Sequence, residues 1–285
     1  MDTRPTPTHN RLPFRAGDFS CLAEALDYAA TGDTGCNFYD GRGGLSAVVS
    51  YAALREDAQR FARRLAGLGL PRGARVALVA DTDPDFIRLF FACQYAGLAP
   101  VTLPASIHLS SHGAYVRQLR RLLASSRAEV AISPAAFTPL LTEAAESLPL
   151  RFLGTAGELA ARVEERPAPS PLRAEEVAYI QYTSGTTRAV RGVVVTQRAL
   201  MSNLFAILRH GIDVRPGDRA VSWLPFYHDM GFVGFVLSPM ASQVSVDYLG
   251  TAEFAKRPQL WLRLMTRMQA TISFGPSFGY ELCTR

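Results

Sequence analysis

R-V-A-L-V-A-D-T-D-P-D-F-I-R-L-F-F-A-C-Q-Y-A-G-L-A-P-V-T-L, residues 75–103, holds a complete strand–helix–strand passage. Residues 75–80 form a short apolar run with two valines, which reads as a buried strand. Asp83-Pro84 opens a helix, because aspartate offers its carboxylate as an N-cap and the fixed φ of proline suits the first helical position. The helix runs through Tyr95 and stops at Gly97, and residues 99–103 return as a second buried strand. Two such strands joined by one helix make a βαβ unit, so the sheet is parallel.

The same alternation extends both ways. Upstream, Tyr51, Leu54, Ala58, Phe61, Leu65 and Leu68 recur at intervals of three and four, giving one amphipathic helix ended by Gly69 and Pro71. Downstream, a helix is expected over 113–125, a strand over 129–133 and a helix over 134–148. Residues 164–173 carry Pro-Ala-Pro-Ser-Pro and read as a linker. Strands at 177–182 and 193–195 follow, then helix 197–210, strand 219–224, helix 230–240, strand 244–249, helix 254–268, strand 271–274 and a new helix from Ser277. The expected organisation is a tail at 1–21, a first α/β subdomain at 22–163, the linker at 164–173 and a second α/β subdomain at 174–285. Both subdomains are stacked βαβ units with largely parallel sheets. The chain stops at Arg285 inside what reads as a helix, so truncation is expected.

At 285 residues and 48% hydrophobic, the chain can bury a sizeable core. Its longest apolar windows are interrupted by Arg88 and Gln94 and fall short of a membrane span. Residues 1–15 are polar and lack the apolar core of a signal peptide. Cys21, Cys36, Cys93 and Cys283 are scattered without metal-ligand or C-x-x-C spacing, which fits free thiols in a cytoplasmic protein with no metal site of its own. The formal charge is +5, and Lys256 is the only lysine among 30 basic side chains. The arginines are spread along the chain without aromatic interleaving, so a solvated surface is the expectation and a nucleic-acid track is not.

Three segments carry chemistry. The first, Tyr182 to Thr196, reads Y-T-S-G-T-T-R-A-V-R-G-V-V-V-T between two strand-like runs. Hydroxyls, glycines that let the backbone approach closely, and Arg188 and Arg191 suit an anion such as phosphate or carboxylate. It is not a Walker loop, since no Gly-Lys-Ser/Thr follows. The second, S-W-L-P-F-Y-H-D-M-G (222–231), sits directly after a strand, where open α/β sheets present their ligand loops. There His228 can donate a hydrogen bond to a carboxylate or phosphate oxygen, while Asp229 reads as the N-cap of the next helix. The third, T-I-S-F-G-P-S-F-G-Y (271–280), places a Gly-Pro turn after a short strand; it lines an apolar slot or is a plain strand-to-helix turn. Neither Ser184 nor Ser222 lies in a G-x-S-x-G elbow, which argues against an acyl nucleophile.

In this order the three segments resemble the adenylate-forming superfamily, which includes acyl-CoA synthetases, peptide-synthetase adenylation domains and luciferases, and especially the fatty-acyl-AMP ligases. Q-Y-T-S-G-T-T-R-A-V-R-G-V-V-V (181–195), S-W-L-P-F-Y-H-D-M-G-F-V-G (222–234) and F-G-P-S-F-G-Y-E-L-C-T-R (274–285) carry the resemblance, which runs from about residue 22 to the end and includes 50–104. It implies the N-terminal domain of an enzyme in which a fatty acid attacks the α-phosphate of ATP, giving acyl-AMP and pyrophosphate, with delivery to an acyl-carrier protein or a polyketide or peptide synthase module. Thr183, Ser184, Gly185, Thr186, Thr187, Arg188, Arg191 and Gly192 would cradle the β- and γ-phosphates, with Arg191 where the family usually has lysine. His228 would sit near the acyl carboxylate and α-phosphate. Trp223, Phe226, Tyr227, Ser273, Phe274, Gly275 and Pro276 would border the acyl path; Phe274 stands where Gly-Gly-Pro is commoner and would narrow or redirect it. The adenine-binding segment, most Mg2+ ligands and the C-terminal domain with its catalytic lysine are expected beyond Arg285, which implies that the chain is inactive by itself. An acyl- or aryl-CoA ligase and a non-catalytic nucleotide- or acyl-binding module remain as alternative readings.

Overall fold

The computed structural model describes residues 4–105, 111–183 and 191–284. They form two compact units, one made of Met1–Phe19, Glu24–Arg55 and Met201–Arg285, the other of Ser20–Ala23 and Glu56–Leu200.

The second unit holds the βαβ passage. Its sheet contains β3 (Arg75–Ala80), β4 (Ala99–Pro104), β5 (Val130–Ile132), β6 (Phe152–Gly154), β7 (Val177–Thr183) and β8 (Arg191–Thr196), in the order β6-β5-β3-β4-β7-β8. Every pairing is parallel except the hairpin of β7 with β8. Between β3 and β4 runs α3 (Pro84–Ala96), started as expected: Asp83 Oδ1 accepts the Asp85 amide at 2.6 Å, and Gly97 closes the helix at φ 67°. α4 (His112–Ser126) and α5 (Thr138–Ala145) cover the sheet with Tyr115, Leu119, Leu123 and Leu141, buried against Val79, Val101 and Ala131. α5 starts four residues later than expected, because Pro134 and Ala135 accept the Phe137 and Thr138 amides in a turn first.

The expected linker does not divide the chain there. Residues 164–173 have no regular structure, yet Arg72 donates to the Ser170 and Pro171 carbonyls and the Leu172 amide donates to Gln94 O. β7 then pairs with β4, so 174–200 belongs with the first βαβ unit. Proline removes an amide donor and ends elements; here it turns the chain within one body.

The first unit is built on the sheet β2-β1-β10-β9: β1 (Gly35–Tyr39), β2 (Leu45–Ser50), β9 (Arg219–Ser222) and β10 (Ser245–Leu249). β1 and β2 form an antiparallel hairpin, and β10 pairs in parallel with both β1 and β9. The sequence reading passed over this hairpin, although Asp40-Gly41 and Gly43-Gly44 mark it: Asp40 Oδ1 accepts the Arg42 and Gly44 amides, and Gly43 has φ 77°. Within the expected tail, the described residues 4–21 are tied down. Thr6, Ala16 and Phe19 are buried, and the Gly17 and Arg15 amides donate to Ala241 O and Gln243 Oε1.

Three further expectations change. Residues 254–268 are not one helix, because Pro258 separates α10 (Thr251–Lys256) from α11 (Gln259–Met268). Residues 271–274 make only a single bridge, Ile272 to Ala220, since the Ser273 hydroxyl takes the Val221 carbonyl at 2.7 Å. The helix expected at 230–240 is α8 (Asp229–Phe232), a π-helical turn (Val233–Leu237) and α9 (Ser238–Ala241). α12 (Ser277–Cys283) ends the described chain.

Candidate active site

In the second unit, the β7–β8 register sets Tyr182 opposite Gly192 and Thr183 opposite Arg191. Two candidate phosphate residues therefore stand across from each other at the mouth of a hairpin. Ser184, Gly185, Thr186, Thr187 and Arg188 lie outside the described residues. Gly192 has a steric reason to be glycine: a Cβ there would stand 3.1 Å from both Ile180 Cγ2 and Tyr182 Cε1. The Tyr182 hydroxyl donates to Leu122 O at 3.2 Å, which ties the hairpin to α4. Arg191, Gly192, Val193 and Val194 are exposed along β8, so the guanidinium is open to solvent and to an anion.

In the first unit, β9 ends where the Ser222 hydroxyl accepts the Leu224 amide at 3.1 Å. Trp223 stacks on Phe254 at 3.7 Å and 9°, with Trp261 and Phe278 edge-on to it. Its buried Nε1 has no hydrogen-bond partner among the described residues. Phe226 is fully buried, edge-on to Tyr248, so it packs behind the loop; Tyr227 is half-buried.

His228 is exposed, and its role differs from the expectation for its neighbour. The N-cap of α8 is His228, and Asp229 is the first helical residue. Asp229 Oδ1 lies 2.7 Å from His228 Nδ1 and accepts the Met230 amide, also at 2.7 Å. A carboxylate in the first turn suits the positive end of the helix.

Ser273 links elements: its hydroxyl donates to Val221 O and accepts Trp261 Nε1–H at 2.9 Å. The Phe274 ring packs against Phe235 with centroids 4.2 Å apart, and a Cβ on Gly234 would meet it at 2.8 Å. Gly275 and Gly279 abut the Trp223 ring, where a Cβ on Gly279 would come within 2.6 Å of Cζ2. The third segment is thus packed directly on the second. The four cysteines are free, and burial raises the Cys36 thiol to about 12, which makes it inert. No cluster of three or more His, Cys, Asp or Glu that could hold a metal occurs among the described residues, and none of their helices is long and apolar enough to cross a membrane.

Sequence reasoning missed one arrangement in this unit. Arg219 and Asp247 form a buried ion pair beneath the sheet end, joined by Asn37, Tyr39 and Thr6. Two ionisable residues inside strand-like runs were the available signal.

The AMP-binding enzyme family matches residues 31–285, and the chain belongs to that family of adenylate-forming ligases. Among curated relatives, a putative acyl-CoA synthetase of Caulobacter vibrioides is 46% identical over 281 residues, covering 98% of this chain and 49% of its own. A medium-chain-fatty-acid–[acyl-carrier-protein] ligase of Moorena producens is 26% identical over 241 residues, covering 83% and 40%. A chain from structural and functional studies of fatty acyl-adenylate ligases from E. coli and L. pneumophila superposes with a TM-score of 0.92 at 45% identity, covering 96% of this chain and 49% of that one. The chain spans about half the length of the relatives it matches.

Proposed function

We propose that this chain is the phosphate- and acyl-binding half of a fatty-acyl-AMP ligase, which joins a fatty acid to the AMP moiety of ATP and releases pyrophosphate. The observation that carries the reading is the register: Thr183 and Arg191 stand opposite each other at the ends of β7 and β8, and the sequence between them is rich in Ser, Thr and Gly. Hydroxyls, close backbone and a guanidinium fit the β- and γ-phosphates of ATP. Thr183, Ser184, Gly185, Thr186, Thr187, Arg188, Arg191 and Gly192 hold the polyphosphate in this reading. His228 meets the acid's carboxylate, and Tyr227, Ser273, Phe274, Gly275 and Pro276 border the acyl chain, backed by Trp223 and Phe226. Mg2+, when bound, would neutralise phosphate charge.

The acyl-AMP then passes to an acyl-carrier protein, as the likeness to an acyl-carrier-protein ligase suggests. The 46% identity to a putative acyl-CoA synthetase favours coenzyme A as the second reading. Work in the cytoplasm, where ATP and reduced thiols occur together, suits the four free cysteines. By itself the chain is expected not to turn over.

The test is fatty-acid-dependent exchange of labelled pyrophosphate into ATP, run on the full-length enzyme and on the 285-residue chain. Exchange by the first and not by the second is expected. Arg191→Ala should raise the ATP KM about tenfold or more, since a hydrogen bond to a charged group contributes roughly 1.5–3 kcal/mol. An unchanged ATP dependence removes Arg191 from the phosphate site. Supplying carrier protein and coenzyme A in parallel separates the two acceptor readings.

A further inference from the structure

We infer that the exposed face of α4 is the docking surface for an acidic carrier protein, which Arg117, Arg121 and Arg127 engage. The identity of the partner rests on the function proposed above; the charged surface does not.

Along the sequence the arginines are spread, but the helix gathers four of them. Arg117 stands three and four residues before Arg120 and Arg121, and Arg127 stands seven after Arg120, so one side of the helix carries them all. All four are exposed, while Tyr115, Val116, Leu119, Leu122 and Leu123 are buried on the other side. No acidic residue occurs between Ser111 and Ala128. Like charges at this spacing repel, and interleaved acids are the usual relief. The helix at Tyr51–Gly67 shows that relief: its Arg60, Arg63 and Arg64 meet Asp57 or Glu165. Around α4 the neighbouring acids are already engaged, Glu143 by His112, Glu146 by Arg120 and Glu129 by Arg151. Arg120 also donates to the Glu143 and Ala144 carbonyls, which gives it a structural use. Arg117, Arg121 and Arg127 have no ion-pair partner among the described residues. They are three cations on a rigid element, and the complement of such a face is a surface that carries carboxylates.

The chemistry of the face selects among anionic partners. A helix that lies on lipid sets Trp, Phe or Leu beside its cations, whereas every large apolar side chain of α4 is buried. Single-stranded nucleic acid calls for aromatic rings to stack on, and the exposed face has none. What stands beside the arginines is Ala124 and Ser125, whose small side chains let a helix of another protein come close. The place suits a carrier too. The Tyr182 hydroxyl donates to Leu122 O, so α4 is fastened to the strands whose ends carry Thr183 and Arg191.

The test is acyl transfer by the full-length enzyme to a phosphopantetheine-bearing acyl-carrier protein, with labelled pyrophosphate exchange run beside it. Arg117→Glu with Arg121→Glu should raise the carrier KM about tenfold or more and leave exchange unchanged. Added salt should weaken the wild type's use of the carrier and affect the variant much less. Arg42→Glu with Arg263→Glu removes the same charge from exposed positions elsewhere and should not move the carrier KM. If the α4 reversal disturbs folding, Arg117→Gln with Arg121→Gln should raise the KM in the same direction. An unmoved carrier KM in a folded α4 variant overturns the inference, as does an equal rise in the control pair. Loss of binding to phosphatidylglycerol vesicles with the carrier KM unmoved would assign the face to lipid instead. Titrating fluorescently labelled carrier with the 285-residue chain needs no turnover, and the α4 pair should weaken that binding as well. Binding that depends on α4 in an enzyme without exchange would count against the proposed function and not against the surface. Transfer to coenzyme A with no binding of the carrier would sink both the acceptor reading and this one.

Discussion

Arg219 and Asp247 are 2% and 0% exposed, and almost every polar atom they carry is used. Arg219 Nε and Nη2 donate to the two carboxylate oxygens at 2.6 and 2.8 Å, and Nη1 donates to Thr6 O. Asn37 Nδ2 and the Tyr39 hydroxyl donate to Asp247 Oδ1. Removing one partner of such a pair strands a buried charge, so Asp247→Ala should destabilise the chain by about 3–5 kcal/mol in urea unfolding. Arg219→Met with Asp247→Leu should recover much of that loss, because an apolar pair has no charge to desolvate. Recovery no better than the single variant would show that the Thr6 and Asn37 contacts dominate. The fate of Trp223 Nε1 is the contrast: it is buried without a partner among the described residues. Trp223→Phe should therefore cost less than loss of an indole from a core ordinarily does.

Among the elements, those with local signals were legible and those made by distant partners were not. Asp83-Pro84 and Gly97 bound α3 in the sequence and in the structure alike, because a cap is a bond between near neighbours. The 271–274 run looked like a strand, yet strand length depends on which groups its partner offers, and Ser273 turned its hydroxyl to Val221 instead. Pro258 stands inside the 254–268 run expected as one helix, and with no amide to donate it starts a new helix there. At the candidate site, the motifs are legible as sequence, while the closeness of Asp229 to His228 depended on rotamers that no spacing reports.

The cap of α3 also predicts a pH effect. Burial raises the Asp83 carboxyl above its usual value, with Asp85 and Asp81 adding to this and the hydrogen bond from the Asp85 amide opposing it. The fold therefore favours the neutral acid, and that contribution is full below the unfolded value of about 3.9. It is lost as pH rises through the higher folded value. Asp83→Asn keeps the cap and cannot ionise. The stability of the wild type relative to Asp83→Asn should fall from about pH 4 into the weakly acidic range and then level off. A flat difference between the two urea midpoints across that range would show that the cap is as well satisfied charged as neutral.

For the whole molecule, two sheets mean two cores, and the fluorophores are unequally shared. Trp223 and Trp261, the only tryptophans, both lie in the unit built on β9 and β10, and the unit built on the βαβ passage has none. Urea unfolding followed by tryptophan fluorescence should therefore part from the same transition followed by far-ultraviolet circular dichroism, which reports both. Coincident curves would mean that the two cores melt as one. The misread tail and linker belong to this scale too: composition marked 1–21 and 164–173 as lacking regular structure, but it does not record which carbonyls and amides hold such segments down.

Thr6 has a practical consequence for anyone producing this protein. Its amide, carbonyl and hydroxyl engage Asn37, Arg219 and Ser245 inside the sheet end, whereas Arg4 and Pro5 are exposed. An affinity tag fused ahead of Met1 should thus be harmless. A gene trimmed to start at residue 8 would leave the Arg219 guanidinium without the Thr6 carbonyl and should yield a poorly soluble product.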